Sequence, residues 1–129
     1  MEPSIAEGIR LFNTQKFFEA HEALETVWLK AQAEEKSFLH GLIQIAAAFH
    51  HFTRGNLTGF QSLLAKGLSK LEGCREARGG ICLEEFLKQL QPWRQFTEQS
   101  VKRQHHGNLK NVRPEVPPPF PRITAIPSG

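Results

Sequence analysis

The segment that most constrains the fold is 38–52, FLHGLIQIAAAFHHF. Wound as a helix, it is apolar on most sides, and its polar interruptions are His40, Gln44, His50 and His51. A helix that is apolar nearly all round has to lie inside other helices, since water would otherwise cover its apolar faces. The sequence therefore predicts an all-α protein with this segment at its centre.

The flanking segments carry apolar residues at helical spacing, and no strand pattern is present. Short loops between them favour antiparallel neighbours. The fold class we predict is a single-domain bundle of five or six short antiparallel helices with an extended Pro-rich C-terminal tail. The bundle spans residues 1–106, with helices over about 4–12, 17–34, 36–54 and 57–73, and a fifth from residue 83 that Pro92 breaks or kinks.

The tail, residues 107–129, holds most of the prolines and has no periodicity. It is predicted to be extended or disordered rather than packed. Two Pro-x-x-Pro spacings, 114–117 and 118–121, fit the grooves of proline-binding proteins, so a protein partner of unknown identity is expected there. The alternative is an arm that packs through Phe120 on its own domain or on a twin subunit.

Charge is divided unevenly along the chain, whose formal net charge is +3. Glu is concentrated before residue 36, and most Lys and Arg follow it. The basic stretch 102–113 has no interleaved aromatic residues, so we expect no nucleic-acid partner. Cys74 and Cys82 lack metal-type pairing and are predicted to be reduced thiols. Without a secretion signal or an apolar run of about 18 residues, no membrane association is expected, and the predicted location is cytoplasmic.

His21 and Glu25 fall inside the apolar arc of the predicted second helix. A carboxylate in such an arc has to be paired, protonated or bound to something. We favour a buried hydrogen-bond network between the central helices, and the alternatives are a mixed nitrogen and oxygen metal site and acid–base catalysis. The candidate polar cluster comprises His21, Glu22, Glu25, Trp28, Gln44 and His50, of which His21, Glu22, Glu25 and His50 would be the metal ligands.

Two linked motifs carry a family resemblance. The first is FFEAHEALE, residues 17–25, with Trp28, and the second is FLHGLIQIAAA, residues 38–48, with His50. Together they resemble the small helical family known as domain of unknown function 309, over about residues 5–65. The resemblance implies an all-α helical bundle and no activity.

The resulting functional hypothesis is a cytoplasmic interaction or scaffold protein, self-associating and without a cofactor or bound metal. Its catalytic residues, if it has any, are unknown. The competing hypothesis is a metal-dependent or acid–base enzyme that acts through the Glu and His side chains of the polar cluster. The usual enzyme signatures, such as a Gly-rich phosphate loop, a serine-nucleophile elbow or HExxH, are missing from the sequence, which weighs against the enzyme.

Overall fold

A central helix, α3 (Ala33–Thr53), organises the computed structural model, which describes residues 5–74, 81–106 and 117–124. The position of α3 confirms the prediction that segment 38–52 is a helix at the centre of the fold, because nearly all apolar residues of that segment are removed from water. The buried residues of this helix are Phe38, Leu39, Leu42, Ile43, Ile45, Ala46, Ala48 and Phe49.

Four further helices surround α3 in the described part of the chain. They are α1 (Ile5–Asn13), α2 (Phe17–Lys30), α4 (Leu57–Glu72) and α5 (Leu83–His106). Helices that follow one another in the sequence pack against one another. The predicted all-α bundle is therefore confirmed, with five helices and an extended segment after them.

The predicted end of the second helix is wrong, and of the two outcomes predicted at Pro92 the break does not occur. The second helix ends at Lys30 rather than Glu34, because Ala31 and Gln32 adopt extended backbone angles that turn the chain into α3. Neither residue is Gly or Pro, so no local signal indicates this break. Pro92 lies inside α5 and does not divide it into two helices.

Small residues set the distance between α3 and α4. A Cβ atom added to Gly67 would lie 2.7 Å from Cδ1 of Ile45 and 3.0 Å from the carbonyl oxygen of Gly41. A Cβ atom on Gly41 would lie 2.9 Å from Cδ2 of Leu71. Close approach of the two backbones is thus possible only because these positions lack side chains.

Aromatic rings fill the centre of the bundle where α1, α3, α4 and α5 meet. Phe49 of α3 contacts Phe12, Phe17, Phe60 and Trp93, with ring centroids 4.9 to 6.1 Å apart. Most of these pairs are edge-to-face or tilted, the arrangements that the ring quadrupoles favour.

The described part of the tail, 117–124, is extended as predicted. The expectation that it would remain unpacked is wrong for these residues, and the alternative of an arm that packs through Phe120 on its own domain is the one observed. Pro121 and Ile123 are buried, and Phe120 reaches the aromatic centre. Its ring lies 5.3 Å from that of Phe17 and 5.6 Å from that of Trp93. The segment therefore covers one side of the core as an additional packing element. The rest of the tail, 107–116 and 125–129, lies outside the described residues.

Among the described helices, none combines the length and the apolar composition that crossing a bilayer requires.

Candidate interaction surface on the second helix

His21 and Glu25 pair across one turn of α2. Nε2 of His21 lies 3.3 Å from Oε2 of Glu25, and the two side chains are 30% and 49% exposed. The expectation that Glu25 is buried is therefore wrong. The apolar arc of α2 is wider than the surface that the neighbouring helices cover, and Glu25 lies on the uncovered part. An exposed pair four residues apart on a helix stabilises it by only about 0.2–0.5 kcal/mol, and a solvated carboxylate needs no further ligand.

A surface pocket of about 190 Å³ lies between α2 and α3. Its lining residues are Phe18, His21, Ala47, His50 and His51. The Phe18 ring contacts both neighbouring imidazoles, with centroid distances of 6.2 Å to His21 and 5.2 Å to His50. Nδ1 of His21 is buried and has no hydrogen-bond partner among the described residues. The pocket therefore has an apolar wall with imidazole edges rather than a polar network.

Of the other members of the candidate polar cluster, His50 lines the pocket with His21, and the remaining three lie apart from this pair. Glu22 is exposed on α2. The Trp28 ring contacts the His40 ring in a tilted arrangement, at a centroid distance of 5.8 Å, and Nζ of Lys36 lies 4.6 Å from the Trp28 ring centroid. Oε1 of Gln44 is buried, and no described residue donates a hydrogen bond to it. The predicted network that would join the Trp28 indole to His21, Glu25 and His50 is thus wrong.

A metal site would need several donors at one point. Within 5–74, 81–106 and 117–124, no group of three or more His, Cys, Asp or Glu side chains is arranged to hold a metal ion. The four side chains named as metal ligands in the alternative hypothesis, His21, Glu22, Glu25 and His50, do not converge on one point. The Phe18 ring lies beside both imidazoles, and Glu22 faces water.

One histidine outside the pocket has a perturbed pKa. Burial lowers the pKa of the His40 imidazole, and the positive charge of Lys70 lowers it further. Both causes disfavour the protonated ring. His40 belongs to the interface of α3 with α4 and to the Trp28 contact, so its shift reflects packing.

Phe18, Glu22, Glu25 and Leu29 lie within about 60° of one another around the helix axis, at roughly 100° per residue, and we call this set the α2 face. The large apolar side chains at its ends are well exposed, Phe18 at 47% and Leu29 at 65%. Along the helix they are about 16 Å apart, at 1.5 Å per residue. The α2 face thus presents two apolar groups with two carboxylates between them. Helical periodicity places Phe18 and Leu29 at the margin of the apolar arc of α2, so periodicity alone does not indicate this surface.

Other residues missed in the sequence hold the tail. Asn13 and Gln89 bind its main chain, and the Trp93 indole donates a hydrogen bond to it. Asn13 follows the first predicted helix, where an Asn is typical of a helix end. The available signal was the Pro-Phe-Pro-Arg-Ile sequence of the tail, whose apolar residues would be unfavourable in water.

The five helices define a small all-α helical-bundle domain. Residues 5–63, which form α1 to α3 and the start of α4, match the model of the family described as Domain of unknown function (DUF309). The family resemblance found in the sequence is thereby confirmed, and the description assigns no activity.

Two curated relatives are also of unknown function. An uncharacterized protein of Aquifex aeolicus (strain VF5) is 36% identical over 88 residues, which is 67% of this chain and 26% of that protein. The uncharacterized protein YpuF of Bacillus subtilis (strain 168) is 35% identical over 60 residues, 46% of this chain and 34% of YpuF. The matched region is therefore a minor part of each relative.

Proposed function

We propose that the protein is a non-enzymatic interaction protein that binds another protein through the α2 face. The observation that carries the proposal is the exposure of Phe18 and Leu29 on one side of a helix whose other side is packed in the core. Large apolar side chains that stay in water on one face of a helix are typical of protein interfaces. The His21–Glu25 pair lies beside them as a solvent-exposed contact across one helical turn, not as a reactive centre.

The chemistry of the α2 face indicates the kind of partner. Glu22 and Glu25 lie between the two apolar groups, and Glu22 has no ion-pair partner among the described residues. A partner helix with apolar residues about three turns apart and Lys or Arg between them would match both features. The α2 face of a second copy would not match, because a twofold axis would place Glu22 opposite Glu25 of the other copy, and like charges repel.

Self-association and a cytoplasmic location also remain proposals. Self-association would use a surface other than the α2 face, and the groove that holds the tail is the surface we favour. The cytoplasmic location is supported by Cys74 and Cys82, which do not form a disulfide.

The test uses a photo-crosslinking amino acid placed in the full chain at position 18 or 29, with position 66, an exposed Lys of α4, as the control. We expect positions 18 and 29 to capture the same protein and position 66 not to capture it. The captured protein, once purified, should bind the F18S/L29S variant at least about tenfold more weakly than the unchanged chain, since apolar anchors dominate most interfaces.

Charge is tested separately in the same assay. Binding should weaken as salt is added, and the E22Q/E25Q variant should show a smaller dependence on salt. Equal binding by the unchanged chain and a folded F18S/L29S variant, or capture of different proteins at positions 18 and 29, contradicts the proposal.

A further inference from the structure

The tail segment 117–124 lies in a groove between α1 and α5, which we call the tail groove. Asn13 of α1 contacts one residue of the segment with both atoms of its amide. Its Nδ2 donates to the Ile123 carbonyl oxygen at 2.9 Å, and its Oδ1 accepts from the Ile123 N–H at 2.8 Å. This two-point contact recognises the main chain and is independent of the side chain at position 123.

Gln89 of α5 makes the same kind of contact with the preceding residue. Its Nε2 donates to the Arg122 carbonyl oxygen at 3.0 Å, and its Oε1 accepts from the Arg122 N–H at 2.8 Å. In an extended chain the main-chain groups of successive residues point to opposite sides. Asn13 and Gln89 therefore hold the segment from both sides, and only an extended backbone satisfies the two amides together.

Anchoring side chains complete the contact. Nε1 of Trp93 donates to the Pro119 carbonyl oxygen at 3.0 Å, and the Phe120 ring stacks on the same indole with an interplanar angle of 19°. Ile123 is buried beyond it, and the Cys82 N–H donates to the Thr124 carbonyl oxygen at 2.8 Å. An indole that donates to a carbonyl beside proline, with aromatic stacking, is the chemistry by which proteins bind extended proline-rich peptides.

We propose that the tail groove is a recognition site for an extended Pro-Phe-Pro-x-Ile segment, and that it accepts the tail of a second copy in exchange for its own. This inference specifies the self-association included in the proposed function and is independent of the α2 face. The tail groove contacts the main chain of the segment and two anchoring side chains, Phe120 and Ile123. A second copy carries the same segment, so an exchanged tail makes the same contacts.

The length of the connection permits exchange between copies as well as an internal tail. From the end of α5 at His106 back to the level of Trp93 is about 20 Å, at 1.5 Å per residue. The ten residues 107–116 can span up to about 33 Å when extended. Because the connection exceeds the distance it has to cover, it does not confine the tail to the groove of its own copy.

The internal tail competes with any external one. A tethered segment has an effective concentration in about the millimolar range, so the groove of the unchanged chain is mostly filled from within. Exchange is therefore expected in concentrated protein, and an added peptide should bind well only where the internal tail has lost its anchors.

The first experiment uses a fluorescent synthetic peptide of residues 117–124, PPPFPRIT, and the full-length F120A/I123A variant as its acceptor. Fluorescence anisotropy should show saturable binding to this variant and at least about tenfold weaker binding to the unchanged chain, since its own tail competes. Adding N13A and Q89A to the acceptor should abolish binding, as should Ala in place of Phe120 in the peptide. Equal binding to all folded chains, or no binding to a folded acceptor, overturns the recognition site.

The second experiment leaves Phe120 and Ile123 unchanged, so it applies even if the F120A/I123A variant does not fold. Light scattering on the unchanged chain, at the highest attainable concentration, should detect dimers whose fraction rises with concentration. The N13A/Q89A variant, which keeps the aromatic core, should stay monomeric, while F18S/L29S should dimerise like the unchanged chain. Monomers alone in the unchanged chain overturn the exchange. Loss of dimers only in F18S/L29S would instead place self-association on the α2 face.

Discussion

Phe120 offers a direct test of whether the tail is part of the hydrophobic core. Its ring contacts four aromatic rings that belong to α2, α3 and α5, those of Phe17, Phe49, Phe52 and Trp93. Replacing it with Ala removes these contacts and opens one side of the core to water. The helices themselves do not depend on Phe120, so the variant is expected to fold with lower stability.

The magnitude follows from burial. Replacing a fully buried Phe with Ala costs about 3–5 kcal/mol. Phe120 is only partly buried, so we expect about half of that, roughly 2 kcal/mol, in the free energy of unfolding. For a domain of this size each kcal/mol corresponds to about 4 °C, so the Tm of Phe120→Ala should fall by about 8 °C.

A matched control is available on α2. Phe18→Ala makes the same chemical change where the side chain is 47% exposed and faces the solvent. Its cost should stay within about 0.5 kcal/mol, or about 2 °C in Tm. Thermal unfolding followed by circular dichroism, with guanidinium titration as a second measure, gives both values. If the two variants lose the same stability, the tail is not a core element and the packing described for it is wrong.

Three further predictions concern the helices. Gly67→Ala should destabilise by about 1–3 kcal/mol in chemical denaturation, because its Cβ would overlap Ile45, whereas Gly73→Ala at the exposed end of α4 should be within about 0.5 kcal/mol of the unchanged chain. Asn56→Ala should cost about 1 kcal/mol, since the Asn56 side chain accepts the Gly59 N–H at 2.9 Å, and rescue by Asn56→Asp is expected; no loss in the Ala variant would show that this cap is unimportant. The lowered pKa of His40 means that the unfolded chain binds a proton more readily, so stability falls as pH drops through the ordinary His range. His40→Gln should reduce that loss between about pH 7.5 and about pH 5 in urea titrations, and an unchanged pH slope would contradict this assignment.

The centre of the fold was predictable because its signal is local. An apolar run such as 38–52 can be satisfied only by burial, and α3 is buried as expected. The Asn56 cap was equally predictable, since Asn after the Gly that ends a helix is a short-range pattern. Both predictions depend on residues that lie next to each other in the sequence.

The candidate site was harder to predict, because helical periodicity gives the direction of a side chain and not the width of the surface that covers it. Glu25 and Phe18 lie near the edge of the apolar arc of α2, where a small difference in packing decides between core and solvent. The structure places both in solvent. The exposure of Leu29 could not be predicted for the same reason. Periodicity assigns Leu29 to the edge of the core, and the side chain is 65% exposed.

The tail could not be predicted because its partners are distant in the sequence. Asn13 contacts Ile123 across 110 positions, and no periodic pattern connects such residues. Proline-rich composition is typical of disordered segments, yet prolines also reduce the entropy lost when an extended segment is held. Composition alone did not distinguish these two outcomes.

The contact between Asn13 and Ile123 also concerns the timing of folding during synthesis. The three helices that match the family are translated early, but the side of the core next to Phe17 and Trp93 has no cover until residues 119–123 have left the ribosome. At about 5–20 residues per second, several seconds pass between the appearance of α1 and that of its last partner. During that interval the nascent chain exposes aromatic surface, which makes it a substrate for chaperones until the tail segment has emerged.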